Sequence, residues 1–180
     1  IASQLLSRDI YTIKRFSYFT INGIFYSFIK DATFSKTLVT EEPLTTLSND
    51  NLLYQGKFFE NPAIQAVGEE FETLTLVVKD NINNKPVNIE HNSLNVFVKS
   101  FGTGKYTEYT EIDSVFNANS SDKVFEKRLN ENGFYELRFG NGVNGTKLTT
   151  GDLVSIYYLK SDGESGVVSP GTLDGSNLNI

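Results

Sequence analysis

The glycine spacing in Phe139-Gly140-Asn141-Gly142-Val143-Asn144-Gly145 constrains the fold of this chain more than any other feature. It admits two incompatible architectures. Gly140, Gly142 and Gly145 spell G-x-G-x-x-G, the glycine pattern of dinucleotide-binding folds, and they follow a strand candidate at 134–139. That pattern holds a pyrophosphate only if a helix opens inside it, because the helix N-terminus supplies the amides and the dipole. The next residues, Val143-Asn-Gly-Thr-Lys-Leu-Thr-Thr150, are poor helix formers, and Gly151 follows. Beyond it, Leu153-Val-Ser-Ile-Tyr-Tyr-Leu159 is rich in β-branched and aromatic residues. No acidic residue stands about 20 positions on within a strand–helix–strand unit. The glycines therefore join two strands, and Gly140, Asn141, Gly142, Gly145 and Gly151 are expected to shape a structured turn with several glycines at positive φ.

The rest of the chain agrees with a β architecture. Period-two alternation recurs while helical periodicity is nearly absent. Strand candidates are 15–21, 24–30, 52–58, 72–79, 94–99, 105–112, 124–129, 134–139 and 153–159, separated by Asn, Asp, Gly and Ser. Only 2–7 and 61–67 could hold a short helical turn. About nine short strands with such spacing predict an all-β, mostly antiparallel sandwich or barrel-like fold.

Asn22-Gly23 is the strongest two-residue hairpin signal, a type I′ turn requiring positive φ twice. Its register sets Ile21 against Ile24, Phe19 against Tyr26 and Ser17 against Phe28. The other face carries Phe16, Tyr18, Phe25 and Ile29, so both faces are aromatic. Such a hairpin is either sandwiched within its own chain or covered by another subunit. The aromatics Phe16, Tyr18, Phe19, Phe25, Tyr26 and Phe28 are accordingly candidate interface residues. Organisation along the chain divides into a hairpin-containing segment at 1–50, a β domain at 51–160, and a Gly/Ser-rich exit segment at 161–180 leading towards a further domain. The chain starts at Ile1 and contains no Met, which suggests a piece of a longer protein.

Charge and composition narrow the function classes. The net charge is −6, and Lys and Arg are scattered rather than clustered, which argues against a phosphate-backbone partner. No apolar run approaches the roughly 20 residues a bilayer-spanning helix needs. With no Cys and one His, thiolate chemistry and multi-histidine metal sites cannot be assembled. His91 reads as a turn residue before a strand. The acidic pairs Glu41-Glu42, Glu69-Glu70 and Asp162/Glu164 lie in turns and read as solvated loop charge. Asp80-Asn-Ile-Asn-Asn-Lys fails the calcium-loop pattern, since Ile82 stands where an oxygen ligand is needed. Tyr106, Tyr109, Tyr157 and Tyr158 keep a carbohydrate-binding or adhesin-like module open as an alternative, although strand tyrosines usually serve cross-strand packing. No catalytic residue, cofactor or metal site is expected.

From Asn51 onward the order of features resembles the baseplate wedge proteins of contractile-tailed bacteriophages, the baseplate-J-like group. The resemblance is carried by Val124-Phe-Glu-Lys-Arg-Leu129, Gly133-Phe-Tyr-Glu-Leu-Arg-Phe139, Gly140-Asn-Gly-Val-Asn-Gly145, Lys147-Leu-Thr-Thr-Gly151, Val154-Ser-Ile-Tyr157 and Gly163-Glu-Ser-Gly166. Leu53-Tyr-Gln-Gly56 and Ser93-Leu-Asn-Val-Phe-Val98 look like the same group's earlier strands. The chain departs at Asn141, where Asp is usual, at Leu148, where Pro is frequent, and at Val167, where Asn commonly follows. The resemblance implies a virion structural protein located in the tail baseplate and made in the host cytoplasm. It implies contacts with other baseplate and tail proteins and with copies of itself, a part in the switch before sheath contraction, and no enzymatic activity.

Overall fold

The computed structural model describes residues 8–37, 45–46 and 53–166. These are nearly all β, with no helix beyond single 3-10 turns among them. The chain divides into two units, residues 1–58 with 161–180, and residues 59–160.

In the first unit, β1 (Arg8–Ile13) runs into the predicted hairpin, β2 (Tyr18–Ile21) and β3 (Ile24–Phe28). Its register sets Ile21 opposite Ile24 and Phe19 opposite Tyr26. Asn22 and Gly23 have φ of 51° and 81°, the paired left-handed conformation of a type I′ turn. β4 (Ala32–Thr37) pairs antiparallel with β1 and with the two-residue β5 (Thr45–Thr46). β6 (Leu53–Gln55) adds to β3, giving two three-stranded sheets in the orders β1-β4-β5 and β2-β3-β6. β1 and β4 were not foreseen, and the strand expected from residue 15 begins at Tyr18. Arg15 and Phe16 form a turn instead, with Phe16 at φ 70°.

The second unit holds one seven-stranded, nearly closed barrel-like sheet. Its strands are β7 (Lys57–Gln65), β8 (Thr73–Leu76), β9 (Asn95–Lys99), β10 (Tyr106–Ile112), β11 (Val124–Leu129), β12 (Tyr135–Arg138) and β13 (Leu153–Lys160). The order across the sheet is β7-β13-β9-β10-β11-β12-β8. The strand expected at 52–58 breaks at Gly56, φ 129°, into β6 and β7. Where a helical turn was expected at 61–67, residues 61–65 are instead the second half of β7. Pro62 is admitted there because β7 is an edge strand. The other helical-turn candidate, at 2–7, lies outside the described residues. The pairing is antiparallel except between β10 and β11, where Thr110 faces Val124 in a parallel register. That crossover carries a 3-10 turn, Val115–Asn117, started by Ser114.

Alternation decides which side chains enter the barrel. Leu74 and Leu76 of β8 and Val96 and Val98 of β9 point in, while Thr73, Thr75, Asn95, Phe97 and Lys99 point out. Tyr109, Phe125, Leu137, Phe139, Val154 and Ile156 belong to the same core. Phe139 is fully buried and meets Tyr109 edge-on at 5.8 Å and Phe125 at 6.4 Å. Outside, Arg138 pairs with Glu126 at 2.6 Å and Arg128 with Glu136 at 2.7 Å, a cross-strand charge ladder on β11 and β12.

Candidate functional site

The resemblance-bearing glycine run leaves β12 at one end of the barrel, and its geometry is made by backbone. Gly142, Gly145 and Gly151 have φ of 90°, 74° and 92°, where a β-carbon is strained. Gly140 is required for a different reason. Its φ is not positive, but a β-carbon there would sit 2.2 Å from Gly145 O and 2.5 Å from Asn144 O. The run doubles back on itself, with Gly142 N–H donating to Gly145 O at 3.0 Å. Asn141 Oδ1 accepts from the amides of Val143 (3.0 Å) and Asn144 (2.8 Å), an Asx turn.

This turn is tied to the β10–β11 crossover. Gly145 N–H donates to Asn119 O at 3.1 Å, Thr146 N–H to Asp122 O at 2.8 Å, and Asn144 Nδ2 to Phe116 O at 3.0 Å. No helix starts within the run, so the arrangement needed to hold a pyrophosphate on a helix N-terminus is missing among the described residues.

Two buried carboxylates hold the neighbouring loops, and neither stood out in the sequence. Glu72 is 6% exposed and accepts from the amides of Val67 and Gly68, both at 2.8 Å. Its carbonyl accepts from Phe139 N–H at 2.9 Å. Asp152, also 6% exposed, accepts from Phe101 N–H at 2.8 Å and Thr149 N–H at 2.9 Å. Thr150 Oγ1 donates to Val67 O at 2.7 Å, which links the two groups. A signal for Glu72 was present: it shares the phase of Leu74 and Leu76, so period two already aimed it inward.

The remaining candidates fall in separate places. Among the hairpin aromatics, Tyr26 and Phe28 are buried, Phe16, Phe19 and Phe25 are half-buried, and Tyr18 is 49% exposed. Phe19 contacts Tyr26 and Phe28 on one face, at 5.8 and 5.9 Å. On the other, Lys57 Nζ lies 4.1 Å from the Tyr18 ring centroid and 5.4 Å from that of Phe25, and Ser27 Oγ donates to Gly56 O. Phe16 packs on Phe58 at 4.7 Å.

The four tyrosines weighed for sugar stacking do not line one groove. Tyr109 and Tyr158 are in the core, Tyr157 donates its hydroxyl to Glu60 at 2.7 Å, and Tyr106 stands out in solvent. Burial, with the Asp152 charge behind it, pushes Tyr109 up to about 12. Burial and the Glu60 hydrogen bond push Tyr157 up to about 12 as well. His91 Nδ1 lies 3.1 Å from the Tyr135 hydroxyl, and its carbonyl accepts from Lys127, which also pairs with Glu111 at 2.9 Å. Glu69 and Glu70 are exposed, Asp162 is exposed and accepts from Gln55 Nε2, and Glu41 and Glu42 lie outside the described residues. Among the described residues no group of three or more His, Cys, Asp or Glu could hold a metal.

A cleft of about 420 Å³ opens beside the crossover, lined by Glu111, Asp113, Ser114, Asn117 and Asp122 among others. Asp122 is already engaged there, accepting from Asn119 N–H at 2.8 Å. No family model, curated protein or solved structure matches this chain.

Proposed function

We propose that this chain is a structural subunit of a contractile bacteriophage tail, part of the baseplate wedge, acting through contacts with other tail proteins rather than through catalysis. The observation that carries the reading is the role of the glycine run that resembles the baseplate-J-like group. Gly140 and Gly145 serve close backbone approach and Gly142 a positive φ, and the run's amides are spent within the turn and on the β10–β11 crossover. A stretch built this way fixes the shape of a domain; it presents no row of free donors to a ligand. The half-exposed Tyr18 and the half-buried Phe25 give the first unit an aromatic surface suited to contact.

The test is made on phage particles. An antibody against the chain should decorate the distal end of contractile tails from a phage encoding it, and a Phe25→Ala allele should yield particles with defective baseplates. Labelling elsewhere, or full infectivity of a null allele, would overturn the reading. Specific binding on a glycan array, lost on Tyr106→Ala, would replace it with the adhesin-like alternative.

A further inference from the structure

The barrel-like sheet has two edges, β7 and β8, and they are treated differently. β7 carries Pro62, which removes a backbone donor, and Lys57 and Glu60 put charge on the strand ahead of it. β8 and the two residues after it read Thr73-Leu-Thr-Leu-Val-Val78, with neither a proline nor a charge. Exposed edges are usually blunted by such residues.

The hydrogen-bond phase shows which groups β8 leaves open. Phe139 N–H donates to Glu72 O, and the register sets Leu137 opposite Leu74 and Tyr135 opposite Leu76. In an antiparallel ladder, hydrogen-bonded pairs alternate with non-bonded ones. Thr73 and Thr75 therefore fall in the non-bonded pairs, and their N–H and C=O groups point away from β12. Among the described residues nothing takes these groups up. Thr73, Thr75 and Val77 are all exposed, Val77 to 52%.

Charge at the two ends of this edge says what fits it. The N-terminal end carries exposed Glu69 and Glu70. The C-terminal end carries exposed Lys79 and, through the Lys79–Pro86 bridge, exposed Lys85. Asp80 lies there too, with its carboxylate turned back onto the amides of Ile82 and Asn83. A second copy laid antiparallel on the edge sets each acidic end against a basic one. Laid parallel, it would set glutamate on glutamate. With a net charge of −6 on each chain, that local match is what an approach between copies requires.

We infer that the β8 edge is a self-association surface, on which a second copy of this chain adds antiparallel strand to strand through the open groups of Thr73 and Thr75. The inference stands on edge geometry and charge, and it holds or fails independently of the tail-protein reading. A contact this short belongs to the small, transient class, below about 1,200 Å². It is therefore read at about 100 µM protein by sedimentation.

Wild-type chain should show a concentration-dependent dimer. Thr75→Pro removes a donor only from the open edge and should leave a folded monomer, with an unchanged circular dichroism spectrum. Glu69→Lys/Glu70→Lys and Lys79→Glu/Lys85→Glu should each be monomeric, and an equimolar mixture of the two should associate again. The mixture keeps the test intact even if Thr75→Pro fails to fold. A wild-type chain that stays monomeric overturns the inference. So does a dimer that survives both charge reversals, or a mixture of reversed variants that fails to associate when wild type does.

Discussion

Replacing Gly140 with alanine isolates what the glycine run is for. Gly140 is buried and needs no positive φ, so a conformational argument predicts little effect at this position. The steric argument predicts a large one. The new methyl would lie 2.2 Å from Gly145 O, 2.3 Å from Gly145 C and 2.5 Å from Asn144 O, all backbone atoms. Making room means moving a segment whose hydrogen bonds, Gly142 N–H to Gly145 O and Gly145 N–H to Asn119 O, would stretch or break. Overpacking costs about 1–3 kcal/mol, and each lost hydrogen bond adds roughly 0.5–1.5 kcal/mol. The expected loss is about 4 kcal/mol.

Gly142→Ala is the matched control. Its φ of 90° disfavours a β-carbon, but the nearest atom to one is Lys147 Cβ at 3.8 Å, so space is not limiting. That change should cost only about 1 kcal/mol. Urea unfolding followed by far-UV circular dichroism suits a chain without tryptophan. With a slope near 2 kcal/mol/M, the midpoint should fall by about 2 M for Gly140→Ala and about 0.5 M for Gly142→Ala. Equal shifts, or a Gly140→Ala loss below about 1 kcal/mol, would refute the close-approach account.

Glu72→Gln should destabilise by roughly 2–3 kcal/mol, because its amide NH₂ would face an N–H donor in place of one charged acceptor, and hydrogen exchange should quicken first at the Val67 and Gly68 amides. Glu126 predicts a pH dependence: burial opposes its charge, but the Arg138 hydrogen bonds, the Val115 amide and the nearby guanidinium charges outweigh it and hold the carboxyl below the usual range. A depressed folded-state pKa gives stability that is present above the unfolded value, about 4.3, and is lost as pH falls through the folded one. Glu126→Gln should thus unfold more easily at pH 7, by about 1–3 kcal/mol, with the difference from wild type fading at pH values below the carboxylate range.

Much of the barrel was legible because its signal is local. β9 and β12 follow period-two runs, β10, β11 and β13 stand out by their β-branched and aromatic residues, all five are bounded by turn residues, and the Asn22-Gly23 turn fixed the register of β2 and β3 from two residues alone. β7 was misread where Pro62 and Ala63 lower β-propensity, since only its edge position admits the proline. β1 and β4 escaped because charged and small polar residues, Arg8, Asp9, Ser35 and Lys36, interrupt their apolar alternation. The parallel pairing of β10 with β11 is non-local, and nothing in either strand announces it. At the glycine run, the need for glycine was readable, but the reason at Gly140 was not. Close approach of residue 140 to residue 145 depends on how the chain doubles back, which spacing does not encode.

The two departures from the baseplate-J-like pattern within the described residues can be weighed by what each side chain does. Asn141 contributes one oxygen, accepting from the Val143 and Asn144 amides, and an aspartate would present the same acceptor to both. The turn needs an Asx oxygen, not a charge, so the exchange leaves its geometry alone. Leu148, where proline is frequent, is 2% exposed and belongs to the core cluster. A leucine there trades a fixed φ for a larger apolar volume between the glycine run and β13. Both exchanges preserve the feature on which the run depends, a chain segment folded tightly enough on itself that Gly140 and Gly145 touch. A variant of the run that kept its glycine spacing but lost the acceptor at 141 would be the more damaging change, because the Val143 and Asn144 amides would both lose the oxygen they share.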